Sequence, residues 1–126
     1  MSARTTFDPL APFHPAVRDW FLSAFSAPTR PQQLGWPAIA RGESTLILAP
    51  TGSGKTLTAF LWALNRVMFE PAPDPRRRCR VLYVSPLKAL AVDVERNLRT
   101  PLAGIARTAD ARGDRYTTPV VAIRTG

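Results

Sequence analysis

The sequence has few cysteines and no long apolar run. Cys79 is the single cysteine among 126 residues, which excludes an internal disulfide and a zinc site built from four cysteines. No apolar stretch reaches the length that a membrane-spanning helix needs, and the first ten residues do not have the pattern of a secretory leader. These absences favour a cytoplasmic protein.

Acidic residues are also scarce. Nine Asp and Glu stand against 17 Lys and Arg, which gives a formal net charge of +8 at neutral pH. Such an excess favours a polyanionic partner, but it does not distinguish nucleic acid from an acidic membrane surface. A chain of this length is long enough to form one domain with a real hydrophobic core.

Hydrophobic periodicity predicts alternating helices and strands after an N-terminal helical arm. Helices are predicted over about residues 14–25, 31–40, 55–69 and 87–105, with Pro101 expected to end or bend the last of them. Short apolar runs predict strands at residues 44–49, 80–86 and 120–123, the first of them covered on both faces. This alternation predicts the α/β class, with a parallel sheet and right-handed crossovers.

The stretch LILAPTGSGKT, residues 46–56, has the composition of a phosphate-binding loop. Gly52 and Gly54 allow left-handed or crowded backbone conformations, so that successive N–H groups can turn toward phosphate oxygens at a helix start. Lys55 supplies a charge for the outer phosphates and Thr56 a hydroxyl for magnesium. Ala49 replaces the first glycine of the strict motif. The alternative is a Gly/Ser turn with an exposed lysine, which the strand–loop–helix context disfavours.

Three sequence segments together resemble the motifs of superfamily two helicases. PTRPQQLGWPAI is similar to the Q motif, APTGSGKT to motif I and SPLKALAVDVERNL to motif Ia. With ESTLILAPTGSGKTLTAFL, they most resemble the large helicase-related (Lhr) group of DEAD/DEAH-type ATPases, over about residues 14–126. The resemblance implies a RecA-like P-loop NTPase domain that uses ATP and Mg²⁺.

The resemblance also implies roles for single residues. Gln32 would read adenine through its amide, although a glutamine in a helix's first turn is by itself more typical of a surface residue. Ser85 and Lys88 would contact the phosphates of single-stranded DNA, whereas without the family SPLKAL is an ordinary helix start with a serine cap. Arg124 either pairs with a phosphate or is solvated, and the sequence supports both equally.

The implied ATP site has a defined set of residues. Lys55 and Thr56 would be catalytic, with Thr56 also the metal ligand. The residues expected to bind ATP are Gln32, Thr51, Gly52, Ser53, Gly54, Lys55 and Thr56.

The resemblance divides the chain into an arm and helix, residues 1–27, and the first part of a RecA-like domain, residues 28–126. In this class a paired Asp-Glu helps to hold magnesium and to position the attacking water, but no two acidic residues are adjacent here. We therefore expect the opening part of a longer motor, which needs a second RecA-like domain. Alone it should bind ATP weakly or not at all, turn it over negligibly and tend to aggregate.

The leading functional prediction is an Lhr-type, ATP-dependent DNA helicase or translocase acting in DNA repair. Two alternatives are a small P-loop kinase, which would need an acceptor pocket, and a nucleic-acid-binding module that does not hydrolyse ATP. For the loop PAPDPRRRCR, the sequence favours a solvated connection over an anion-binding role of Arg76, Arg77, Arg78 and Arg80.

Overall fold

The computed structural model describes residues 7–50 and 54–125 of the chain. The helices are α1 (Pro15–Ala24), α2 (Arg30–Ala40), α3 (Lys55–Phe69) and α4 (Lys88–Arg112), with a 3-10 turn at Pro75–Arg77. The first three helices lie where the periodicity predicts them. Among the described residues, no helix combines the length and the apolar character needed to cross a lipid bilayer.

Helix α4 is longer than predicted. Pro101 does not end it, and it continues to Arg112, where Gly113 closes it with a φ of +76°. A proline in a helix interior removes one hydrogen bond, but Pro101 itself is buried. The packing of this turn therefore offsets the missing bond.

The predicted α/β class, with a parallel RecA-like sheet, is wrong for this structure. Residues 7–50 and 54–125 contain no strand, and no backbone hydrogen bond joins any two of the predicted strand regions within them. A helix satisfies its backbone groups internally, whereas a strand needs a neighbouring strand. We call residues 44–49, 80–86 and 120–123 the apolar segments.

The apolar segments are covered on one side at most. Leu46 is 83% exposed, Leu48 85%, Leu82 81% and Val120 95%. Between the exposed leucines, Ile47 is half-buried and faces helix α2, where an added Cβ on Gly35 would lie 3.4 Å from its Cδ1. The prediction that residues 44–49 form a strand covered on both faces is therefore also wrong.

The core is formed by the helices and by the turn before α1. Helix α1 packs against α4, and α2 packs against α3. Trp36 is at the centre, with its ring centroid 5.1 Å from that of Phe13 and 5.4 Å from that of Phe21, both edge to face. The core consists of Leu10, Phe13, Val17, Trp20, Phe21, Trp36, Phe60, Leu61, Leu64, Met68, Leu98 and Ile105. Phe13, Trp20 and Phe21 are thus core residues rather than aromatic residues free to stack on a ligand.

Helix α4 is fully buried only from Leu98 onward. Its buried residues include Leu98, Gly104 and Ile105, and an added Cβ on Gly104 would collide with the indole of Trp20. In its first turns Leu87 and Leu90 are exposed, whereas Val94 is partly buried and packs against the core. The contact between α1 and α4 therefore depends on a glycine at position 104.

Candidate nucleotide site at the start of helix α3

The first turn of α3 has the backbone geometry of an anion site. Gly54 precedes the helix with φ +80° and ψ 23°, the left-handed conformation that its sequence position predicts. The first N–H groups of a helix have no partner within it, and the helix dipole places partial positive charge there. No acidic residue lies in this first turn to neutralise that charge. The geometry therefore favours an anion.

Lys55 and Thr56 begin this helix, and both side chains are exposed. Within the described residues Lys55 has no carboxylate partner, so its ammonium is available to a ligand. The other predicted loop residues, Thr51, Gly52 and Ser53, lie outside the described residues. No group of His, Cys, Asp and Glu in the described part of the chain is arranged to hold a metal ion.

Gln32 lies directly beside Gly54. Its side chain is buried, its Oε1 accepts the Thr29 N–H at 2.9 Å, and its Nε2 donates to the Gly54 carbonyl at 3.4 Å. The predicted adenine reader and the predicted phosphate loop are thus brought together. Each end of the amide makes one of its two possible hydrogen bonds, so one N–H and one lone pair of Gln32 remain for a base.

Thr29 contributes a second polar atom at this position. Its buried Oγ1 faces the Gln32 N–H in a capping box, but it makes no hydrogen bond of full geometry in the described part of the chain. An added Cβ on Gly54 would lie 3.6 Å from this oxygen and 2.6 Å from Gln32 Nε2. A buried hydroxyl without a partner is costly unless another group bonds to it. The first turn of α2 therefore presents an unused hydrogen-bonding atom next to Gly54.

A buried pair that the sequence analysis missed links α2 to α3. Thr58 donates its N–H and its Oγ1 to the Gly54 carbonyl, at 2.9 and 2.7 Å, and its own carbonyl accepts the Trp36 Nε1–H at 3.1 Å. Trp36 lies one helical turn after Gln32, so the i, i+4 spacing was a signal that they share a face. Nothing in the sequence marks Thr58. This chain of bonds holds Gly54 against α2.

The predicted nucleic-acid residues lie elsewhere. Ser85 makes a local turn with Leu87, accepting its N–H at 3.4 Å, and Lys88 is exposed as the first residue of α4. Arg124 is exposed and donates to the carbonyl of Ile123 at 2.9 Å. Ser85 and Lys88 are therefore close along one helix start. Within the described residues, no hydrogen bond or ion pair joins these three to Gly54 or Lys55.

The comparisons with known proteins agree on one family. The family model for the DEAD/DEAH box helicase matches residues 29–119. The Lhr helicase and probable uracil glycosylase of Mycolicibacterium smegmatis is 56% identical over 119 residues, which cover 94% of this chain and 8% of that protein. The Lhr helicase/uracil glycosylase of Escherichia coli is 51% identical over 119 residues, covering 90% of this chain and 8% of that protein.

A solved structure is similar as well. The structure of Mycobacterium smegmatis helicase Lhr bound to ssDNA and AMP-PNP matches with a TM-score of 0.77 and 54% sequence identity. The match covers 91% of this chain and 14% of that chain. The chain thus spans less than one-tenth of the length of the two curated relatives.

Proposed function

Because the chain belongs to the DEAD/DEAH box helicase family, we propose that it forms the ATP-binding front of an ATP-dependent helicase of the Lhr type. The family resemblance predicted from the three motifs is confirmed. The similar solved structure holds AMP-PNP, an analogue of ATP, and single-stranded DNA. We propose that residues 28–126 contribute to the ATP-binding domain and that residues 1–27 precede it as an arm.

The observation that carries the proposal is the left-handed Gly54 at the start of α3, beside Gln32. The triphosphate would accept hydrogen bonds from the first N–H groups of α3 and from the loop residues Thr51, Gly52 and Ser53. Lys55 would neutralise the outer phosphates. Thr56 would supply a hydroxyl ligand for Mg²⁺, which would neutralise charge on the triphosphate.

Adenine would be read at the first turn of α2. Gln32 would bond to the base through its remaining N–H and its remaining lone pair, since its amide offers both a donor and an acceptor. The buried Thr29 hydroxyl supports this proposal as a further polar group at the same first turn. Base recognition and the phosphate loop would then be linked through a single side chain.

Movement on DNA would need further groups. We propose that Ser85, Lys88 and Arg124 contact the phosphates of single-stranded DNA, and that a second motor domain completes the ATP cleft. The 126 residues contain no adjacent Asp-Glu pair to position the attacking water, so we expect these residues alone to bind ATP weakly and to hydrolyse it negligibly. DNA repair is the proposed cellular setting. The small-kinase alternative has no support from the family found.

The two lysines of the chain provide a matched test. Each is exposed and is the first residue of its helix, α3 or α4. In a longer chain that includes the second motor domain, Lys55→Ala should weaken Mg·ATP binding, measured by calorimetry, by about 10- to 100-fold, because hydrogen bonds to charged groups contribute about 1.5–3 kcal/mol. Lys88→Ala should leave ATP affinity unchanged and should weaken binding to single-stranded DNA.

The opposite outcomes are equally clear. If Lys55→Ala and the parent chain bind Mg·ATP with the same affinity, the phosphate role of Lys55 is wrong. If the affinity for single-stranded DNA changes neither with added ATP nor with Lys55→Ala, the alternative of a nucleic-acid-binding module that does not hydrolyse ATP is favoured instead.

A further inference from the structure

The loop that follows α3 concentrates the positive charge of the chain. Residues 71–80, which we call the arginine loop, contain Arg76, Arg77, Arg78 and Arg80. Asp74 is the one acidic residue of the loop, so its formal net charge is +3, out of +8 for the whole chain. The sequence alone favours a solvated connection here. The structure adds two observations that point to a binding surface.

The first observation is that the arginine loop is fastened in place. The Asp74 carboxylate accepts the Arg76 N–H at 2.9 Å and so caps the 3-10 turn at Pro75–Arg77. Arg80 donates through Nη2 to the Arg66 carbonyl at 2.6 Å and through Nη1 to the Pro71 carbonyl at 3.4 Å. Arg66 lies in the last turn of α3, and its carbonyl also accepts the N–H of the capping residue Glu70 at 3.0 Å. The loop is therefore attached to the C-terminal end of α3.

The second observation is that the loop's arginines have no counter-ion. Arg76, Arg77 and Arg78 are exposed, and none forms an ion pair within the described part of the chain. Five arginines elsewhere each pair with a carboxylate, namely Arg18, Arg41, Arg66, Arg99 and Arg112. The backbone of the loop is thus held near α3, whereas its exposed guanidinium groups are not neutralised, which favours an anionic ligand with several charges.

We propose that the arginine loop binds the phosphodiester backbone of nucleic acid, in addition to the proposed contacts of Ser85 and Lys88. Guanidinium groups bind phosphates through paired N–H donors, and a row of them suits the repeated charges of a nucleic-acid strand. Helix α3 has 15 residues and is about 22 Å long. The loop lies at the end of α3 opposite to Lys55, too far away to contact the same triphosphate.

The salt dependence of DNA binding tests this proposal on the 126-residue chain. The probe is fluorescently labelled oligo(dT), and its affinity is measured by anisotropy over a series of KCl concentrations. Each phosphate contact on a single strand contributes about 0.7 to the slope of log affinity against log salt. The double variant Arg76→Ala/Arg77→Ala should therefore reduce the slope by about 1.4. Circular dichroism checks that its helices are retained.

Two control variants test whether the loss of slope comes from the arginine loop or from the lower net charge of the chain. Arg96 and Arg107 on α4 are also exposed and also form no ion pair within the described residues, so Arg96→Ala/Arg107→Ala removes the same charge elsewhere. That variant should leave the slope close to the parent value. Arg76→Lys/Arg77→Lys keeps the charge and should keep most of the slope. An unchanged slope for Arg76→Ala/Arg77→Ala, or equal losses for both alanine pairs, would overturn the proposal.

A third comparison tests whether the loop makes contacts of its own. Adding Lys88→Ala to Arg76→Ala/Arg77→Ala should lower the slope further, by about 0.7, because phosphate contacts add in the slope. If Arg76→Ala/Arg77→Ala no longer changes the slope once Lys88 is replaced, the loop makes no phosphate contacts of its own, which contradicts the proposal. The inference takes nucleic acid from the proposed function but does not depend on ATP. If Lys55→Ala leaves the ATP affinity unchanged, the proposed phosphate role of Lys55 is wrong. The salt slopes of DNA binding still test the role of the arginine loop independently.

Discussion

The helices and the apolar segments have similar hydrophobic residues but very different surroundings. We call α1, α2, α3 and residues 98–112 of α4 the helical body. Trp36 and Ile105, in the helical body, are fully buried, whereas Leu48 and Val120, in the apolar segments, are at least 85% exposed. The difference follows from backbone hydrogen bonding, because a helix supplies its own and a strand does not. Hydrophobicity alone therefore does not determine burial.

The largest difference in stability between changes in the helical body and changes in the apolar segments should come from truncating a hydrophobic side chain. Trp36→Ala removes the centre of the helical body and should lower the free energy of unfolding by about 3–5 kcal/mol. Leu48→Ala removes a side chain that is 85% exposed and should change it by less than about 0.5 kcal/mol. Urea unfolding followed by circular dichroism measures both. Similar losses for the two variants would contradict the contrast.

The next test concerns the packing of α1 on α4. Gly104→Ala should lower the free energy of unfolding by about 1–3 kcal/mol, because the new Cβ would collide with the Trp20 indole. Helix propensity alone predicts the opposite sign, a gain of about 1 kcal/mol. Ala103→Gly, at the exposed neighbouring position, measures that propensity alone. A stabilised Gly104→Ala variant would show that Trp20 does not pack as described.

A smaller effect is expected from one buried hydroxyl at the candidate site. Thr58→Val removes the Oγ1 bond to the Gly54 carbonyl and should cost about 1 kcal/mol of stability. It should also weaken Mg·ATP binding, because the carbonyl of Gly54 loses a donor that holds it in position.

Helix α4 contains a matched control for Thr58→Val. Thr108 makes the same bond to the carbonyl four residues earlier, that of Gly104, at 2.9 Å. Thr108→Val should cost similar stability and leave ATP affinity unchanged. If calorimetry shows equal ATP affinities for the two valine variants, Thr58 has no positioning role.

The smallest stability change is expected within the apolar segments. Leu48→Ser/Leu82→Ser should alter the free energy of unfolding by less than about 0.5 kcal/mol for each substitution. It should nevertheless reduce self-association in sedimentation velocity, because exposed apolar segments with unpaired backbone groups promote contact between chains. Leu34→Ser, at a single exposed leucine on α2, is the control and should not change association. Unchanged association of the double variant would contradict this account.

Local features of the fold were predictable from the sequence. The 3.6-residue spacing identified α1, α2 and α3, and Gly54 was correctly expected at a left-handed helix start. The sheet was wrongly predicted, because an apolar run indicates burial but does not reveal whether a pairing strand is available. Pro101 was expected to end or bend α4, since a local rule takes no account of the packing of residues 98–109 against α1.

The candidate site was predictable in part. The family resemblance named Gln32 and Gly54 separately, and the structure shows that a hydrogen bond joins them. The link from Trp36 through Thr58 was missed, because it joins residues 22 positions apart and the family resemblance implies no role for either. The roles of Ser85, Lys88 and Arg124 remain predictions.

Hydrogen exchange, with and without Mg·ATP at millimolar concentration, tests the central claim most directly. We expect added protection at the first turn of α3, from Gly54 to Leu57, and at Gln32, while the apolar segments exchange rapidly in both states. No added protection at the start of α3, or protection that appears only in the apolar segments, would contradict a triphosphate site formed by α2 and α3.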